Sequence, residues 1–215
     1  MGLIDRGEDR ETRTPTEAMS SADVILDAAE KLMSDNGYAA TSISAICRES
    51  GLPVGSVYHH FGSKAGILAA VMERGTVRFY ASLAGMVREN ASPEQRLEQY
   101  YTHAPELLVE NTPYFKILHA SLAGTDSDLL NRVHASNEHV AVRLAETIEP
   151  VARRAGVRDS AGLAIRLARF SVTYAGGAML SAGYETNRLY GEMAPLYGMV
   201  LMAIEAAAAA DRAAV

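Results

Sequence analysis

The residues best placed to do chemistry lie between positions 41 and 61, which read TSISAICRESGLPVGSVYHHF. Ile43, Ile46 and Cys47 are spaced to bury one face of a short helix. Gly51 supplies the left-handed conformation of a tight turn, and Leu52 follows it back toward a core. Val57 and Phe61, four apart, bury one face of the next helix. That leaves Val54, Gly55, Ser56, Tyr58 and His59 on or near its outer face, while His60 is expected to pack inward or to cap. Two short helices joined by a glycine turn form the helix-turn-helix pattern, whose second helix enters the DNA major groove. A helical hairpin in any all-α core shares the bare pattern, so the pattern by itself leaves both readings open.

A second group is scattered further along: Tyr100, Tyr101, His103, Tyr114, Phe115, His119, His134 and Tyr174. Binding pockets are mainly apolar with a few placed polar groups, and such a set suits a mid-sized aromatic or amphipathic molecule. Tyr101, His103, Phe115, His119, His134 and Tyr174 are the candidate lining residues. His103, His119 and His134 share no i, i+3 or i, i+4 spacing, and the single cysteine adds no second ligand, so no metal site is expected. Cys47 is read as a small core residue rather than a redox switch. No G-x-S-x-G, H-E-x-x-H, P-loop or dinucleotide fingerprint occurs, so neither an enzyme nor a cofactor is expected.

The elements that must position these groups are helical throughout. Apolar residues recur at helical spacing and nothing alternates as strands, which makes the chain all-α with about nine helices. Ser20-Ser21 caps a first helix that ends at Asn36-Gly37, and Thr41-Ser42 opens the second. Ser63 caps a long fourth helix from Lys64 to about Glu89. Later breaks fall at Ser92-Pro93, Thr112-Pro113, Gly124 to Asp126, Gly156 to Asp159 and Met193 to Pro195. Between Ser160 and Glu185 one face carries Leu163, Leu167, Phe170 and Tyr174, and another carries only small residues. The last helix bears a similar stripe through Leu196, Val200 and Ile204.

The segment from Val24 to Met72 strongly resembles the DNA-binding domain of the TetR/AcrR family of bacterial regulators. The matching pieces are a first helix ending in Gly37-Tyr38, Thr41-Ser42 and the Ile46-Cys47 pair. They continue with Gly51-Leu52, the run Gly55 to Phe61 and Ser63-Lys64. The resemblance implies that Thr41, Ser42 and Lys64 contact phosphate, and hydroxyls at a helix start suit an anion. It implies that Ser44 projects toward DNA, where many relatives carry Arg, and that Tyr58 and His59 meet phosphate and sugar. Val54, Gly55 and Ser56 would then reach base edges, with Val54 suited to a thymine methyl. It also implies a homodimer whose second, larger domain holds a small organic effector. The expected division is a disordered leader at 1–19, the helix-turn-helix domain at 20–66 and a ligand-binding and dimerisation domain at 67–215. The helices at 160–185 and 196–208 are the expected dimer interface.

Composition limits the alternatives. Of 215 residues, 48% are hydrophobic, enough for a sizeable core. The net charge of −6 neither suggests nor forbids DNA, because steering depends on where charges sit. No uninterrupted apolar run reaches the length of a membrane span, the start of the chain lacks a secretory pattern, and one cysteine forms no intrachain disulfide. A cytoplasmic location with no membrane partner is expected. Three function classes remain: a palindrome-binding regulator, most naturally a repressor, released by ligand; a helical ligand- or protein-binding dimer that has lost DNA binding; and an all-α enzyme.

Overall fold

A computed structural model describes residues 19–85, 91–122 and 127–214. The expected leader at 1–19, all but its last residue, and the expected break at 124–126 lie outside the described residues. Ten helices run in chain order: α1 (Ser21–Asn36), α2 (Ile43–Ser50), α3 (Val54–Phe61), α4 (Lys64–Gly85), α5 (Pro93–Glu110), α6 (Thr112–Leu122), α7 (Ser127–Arg154), α8 (Ser160–Ser181), α9 (Thr186–Met193) and α10 (Leu196–Ala213). The described residues contain no strand. A single turn at Ala194-Pro195 separates α9 from α10, and counted as one bent helix they give the nine expected.

Local caps set most of the boundaries. The Ser20 and Ser42 hydroxyls accept from the backbone of Asp23 and Ala45, and Ser63 accepts from Gly66. Ser92 and Gln95 form a reciprocal capping box ahead of α5. Asp159 accepts from Gly162 at the start of α8.

Two apolar cores follow. The first gathers Ile25, Ala29 and Met33 of α1, Ile46 of α2, Val57 of α3, and Ile67, Val71 and Met72 of α4. It also takes Tyr114, Ile117 and Leu118 of α6, so the helix-turn-helix unit is packed onto α4 and α6. The second core joins α5, α7, α8, α9 and α10 through Leu97, Leu107, Leu144, Ile148, Met179, Leu189 and Ile204. On α8 the small residues turn inward: Ala164, Ala168, Ser171 and Ala178 are buried, as is the C-cap Ala182, while Phe170 is exposed. Small side chains let two backbones approach, and α8 accordingly lies along α7.

One described stretch, Thr186–Ala213, is long and apolar enough to cross a membrane by length and composition, contrary to the sequence expectation. Averaging over the window absorbs Glu205 and Pro195, which interrupt any unbroken apolar run. Leu196, Val200, Ile204 and Ala208 of α10 pack into the second core.

Candidate nucleic-acid interface and internal cavity

The α2–α3 unit is built from the inside outward. Ile46 and Val57 are essentially fully buried, and Ile43, Cys47, Leu52 and Phe61 pack partly buried around them. Gly51 closes α2 at φ 69°, a left-handed conformation that Gly adopts without strain. The Ser50 hydroxyl accepts from the Leu52 N–H, and Pro53 stands as N-cap of α3, its carbonyl accepting from Ser56. These constraints fix the angle between the two helices and leave the start of α3 free.

The presented face matches the expected one. Val54 and Tyr58 are about half exposed, at 53% and 50%. Gly55 and His59 are exposed, and Ser56 is half-buried. Ser42 and Ser44 are exposed on the neighbouring α2 start. His60, expected inward or as a cap, is instead exposed, with its ring edge-on to His59.

Two of the expected phosphate-contacting groups have partners inside the chain. Thr41 is 3% exposed and its hydroxyl donates to the Gly37 carbonyl at 2.9 Å. As the residue before the N-cap it faces back toward α1, so its side chain locks the α1–α2 turn rather than facing solvent. The Lys64 ammonium donates to the Ala39 carbonyl at 3.2 Å and lies 4.4 Å from the Tyr38 ring centre. It remains half-exposed, and an ammonium has three donors, so capacity is left for an anion.

A cavity of about 250 Å³, partly open to solvent, is lined by α4, α5, α6, α7 and α8 with Met193 of α9 and Leu196 of α10. Of the expected lining residues, Tyr101, Phe115 and His119 line it, together with Tyr100 and Tyr114. The other three lie elsewhere. His103 is on the opposite side of α5 from Tyr101 and Ala104, beside the Glu106 carboxylate at 3.3 Å. His134 is exposed on α7. The Tyr174 hydroxyl donates to the Glu192 carbonyl, joining α8 to α9. Phe79, Asn137, Ser171 and Gly176 also line the cavity and went unrecognised in the sequence, since they come from separate helices and share no motif.

The cavity's polar atoms are mostly spent. Ser171 donates to the Leu167 carbonyl at 2.8 Å, so its 2.7 Å contact with Tyr101 is a bond donated by the phenol. Burial pushes the Tyr101 phenol well up, keeping it protonated. Thr76 likewise donates to Met72, so the Tyr114 phenol donates to Thr76; it also lies 2.9 Å from the Ser136 hydroxyl. His119 Nδ1 is 2.9 Å from the Tyr184 hydroxyl, and burial lowers the His119 pKa. No group of acids, histidines and cysteine suited to a metal occurs among the described residues.

The described residues thus combine an exposed helix-turn-helix with a cavity lined from both helical cores. Residues 25–71 match the sequence family "Bacterial regulatory proteins, tetR family". The HTH-type transcriptional regulator UidR of Escherichia coli (strain K12) is 36% identical over 75 residues, 33% of this chain and 38% of that protein. A TetR-family regulator structure from Agrobacterium tumefaciens superposes at a TM-score of 0.68, with 22% identity, over 83% of this chain and 96% of the other. The fatty acid degradation regulator FadR from Bacillus halodurans superposes at 0.65, with 17% identity, over 86% and 96%. Residues 25–71 thus match the DNA-binding segment of the TetR family, and the chain shares the fold of the TetR-family structures it superposes on. Its sequence match spans well under half the length of the curated relative.

Proposed function

We propose that this protein is a repressor that binds a palindromic operator as a homodimer and is released when a small organic effector fills the cavity. The observation that carries the reading is the exposed face of α3, where Val54, Gly55, Tyr58 and His59 stand clear of the core that Val57 anchors. Apolar side chains left exposed on α8 and α10, Phe170, Leu180, Met199 and Met202, supply a surface for a second copy. The reading assigns the cavity to binding rather than turnover, and it places the protein in the cytoplasm with its operator. The internal engagement of Thr41 favours a second reading, a ligand-binding dimer without DNA affinity.

Selection from a random duplex library separates the two. The regulator reading expects an enriched palindrome whose half-sites sit one helical turn apart, about 34–36 Å, or a multiple of that. Lys64→Ala should then weaken binding to all sequences and flatten the salt slope by about one unit, whereas Ser56→Ala should change preference at one or two base pairs. No enrichment, or two variants indistinguishable from the parent, would sink the placement of α3 in the groove.

A further inference from the structure

The cavity defines the chemistry of what enters it more narrowly than an effector site requires. Among the described residues that line it, none is an aspartate, glutamate, lysine or arginine. Five aromatic rings, those of Phe79, Tyr100, Tyr101, Tyr114 and Phe115, form much of the wall. Phe115 meets Phe79 edge-on with ring centres 5.3 Å apart, and Tyr100 meets Tyr101 at 5.5 Å, so the rings brace one another. A charged group set against the aromatic wall would lose part of its water and find no aspartate, glutamate, lysine or arginine among the lining residues. Lys116, on the same helix as Phe115, lies over the ring of Tyr184 and is not among the lining residues.

The wall is therefore apolar except at a few points, and most of those are satisfied internally. The Tyr101 and Tyr114 hydrogens are donated to hydroxyls of the chain. Tyr100, Ser136, Thr173, Asn137 and His119 supply the remaining polar side chains, and of these His119 carries the ring nitrogen set beside a glycine. His119 is held by Tyr184 at Nδ1, and its Nε2 lies against Gly176, a wall residue with no side chain to cover it: a Cβ there would come to 3.5 Å. Tyr184 reaches this position from a turn in which it takes φ 62°, directly after Gly183 at φ 60°. A non-glycine residue in that region carries a backbone cost, and here the phenol gains the His119 bond and the Lys116 contact in return. Tyr184 is a positioning residue that fixes the His119 ring, whose Nε2 lies against the wall residue Gly176.

Resting on the reading of the cavity as the effector site, we infer that it takes an uncharged, ring-containing molecule whose single polar end hydrogen-bonds to His119 Nε2. Carboxylates and phosphate-bearing conjugates are excluded. A cavity of about 250 Å³ has room for two fused or linked rings.

The test uses two probes of one shape, 4-phenylphenol and biphenyl-4-carboxylate, titrated calorimetrically into the full chain at pH 7.5 without DNA. The phenol should bind at least about tenfold more tightly, the spread expected when one partner keeps a hydrogen bond and the other must bury a bare charge. His119→Phe, which keeps the ring and loses the nitrogen, should weaken the phenol by about tenfold and leave the carboxylate unchanged. Should that variant not fold, the nitrogen resonance of His119 Nε2 in the unmodified chain must move on adding the phenol. Equal or tighter binding of the carboxylate, no binding of the phenol, or an unmoved Nε2 resonance overturns the inference. Release of the selected operator is measured separately, so tight phenol binding without release would overturn the regulatory reading and leave the ligand class standing.

Discussion

At the scale of single residues, His119 has the most consequential environment. Burial lowers its pKa, so the folded state resists protonation that the unfolded chain accepts near the usual value of 6.5. The sign follows: the contribution is whole above the unfolded value and is lost as pH falls through the folded one. Thermal unfolding at pH 7.5 and 5.5 should therefore show a larger drop for the parent chain than for His119→Phe; equal drops would mean that the imidazole is freely hydrated. The same scale shows where sequence reading stops. Thr41 and Ser42 are adjacent hydroxyls before one helix, and both were expected to face an anion. The N-cap is Ser42, which turns Thr41 through a different angle and back onto Gly37. Adjacent hydroxyls at a helix start do not reveal which one caps, because that depends on the chain entering the turn.

At the scale of elements, α4 carries Gly66, Gly75 and Gly85, each of which offers either flexibility or room. The structure separates them. A Cβ on Gly75 would stand 2.3 Å from Tyr114 Cδ2 and 2.9 Å from its Cγ, near the root of a ring fixed by two hydroxyl partners. Gly85 meets nothing within 4 Å. Gly75 is thus a packing position rather than a hinge. Gly75→Ala gains about 1 kcal/mol in helix propensity and loses about 1–3 kcal/mol to overpacking. The melting temperature should fall, and a rise would show that Tyr114 yields freely. Helix ends were legible in the sequence because caps are local: Ser20, Ser42, Ser92 and Asp159 sit within one turn of what they hold. That α8 has two distinct faces was also legible. Which face turns inward was not, because that is decided by α7, whose own small and large positions are far away in sequence.

At the scale of the whole molecule, the two cores share α6. Tyr114 belongs to the helix-turn-helix core and to the cavity wall, while Phe115 beside it faces the cavity and the second core. Tyr114 abuts Gly75 of α4, and the preceding Arg74 donates to Asp27 at 2.6 Å and to Glu30 at 2.7 Å, both on α1. Arg78 also pairs with Glu30, whose side chain is only 9% exposed. A molecule that displaces the Tyr114 ring therefore presses on α4 next to the ion pairs that hold α4 to α1. Contiguity of this kind becomes coupling only if the clamp changes the equilibrium that both sites share. Glu30→Gln removes the charge that both arginines answer and should cost roughly 1–2 kcal/mol of stability, discounted because Arg78 is half exposed. Affinity for 4-phenylphenol should stay within about twofold, because no cavity atom changes. The factor by which the phenol weakens operator binding should shrink severalfold. If that factor is unchanged while stability falls, the clamp only holds α1 in place, and the signal crosses between the cores through the apolar face of α6 itself.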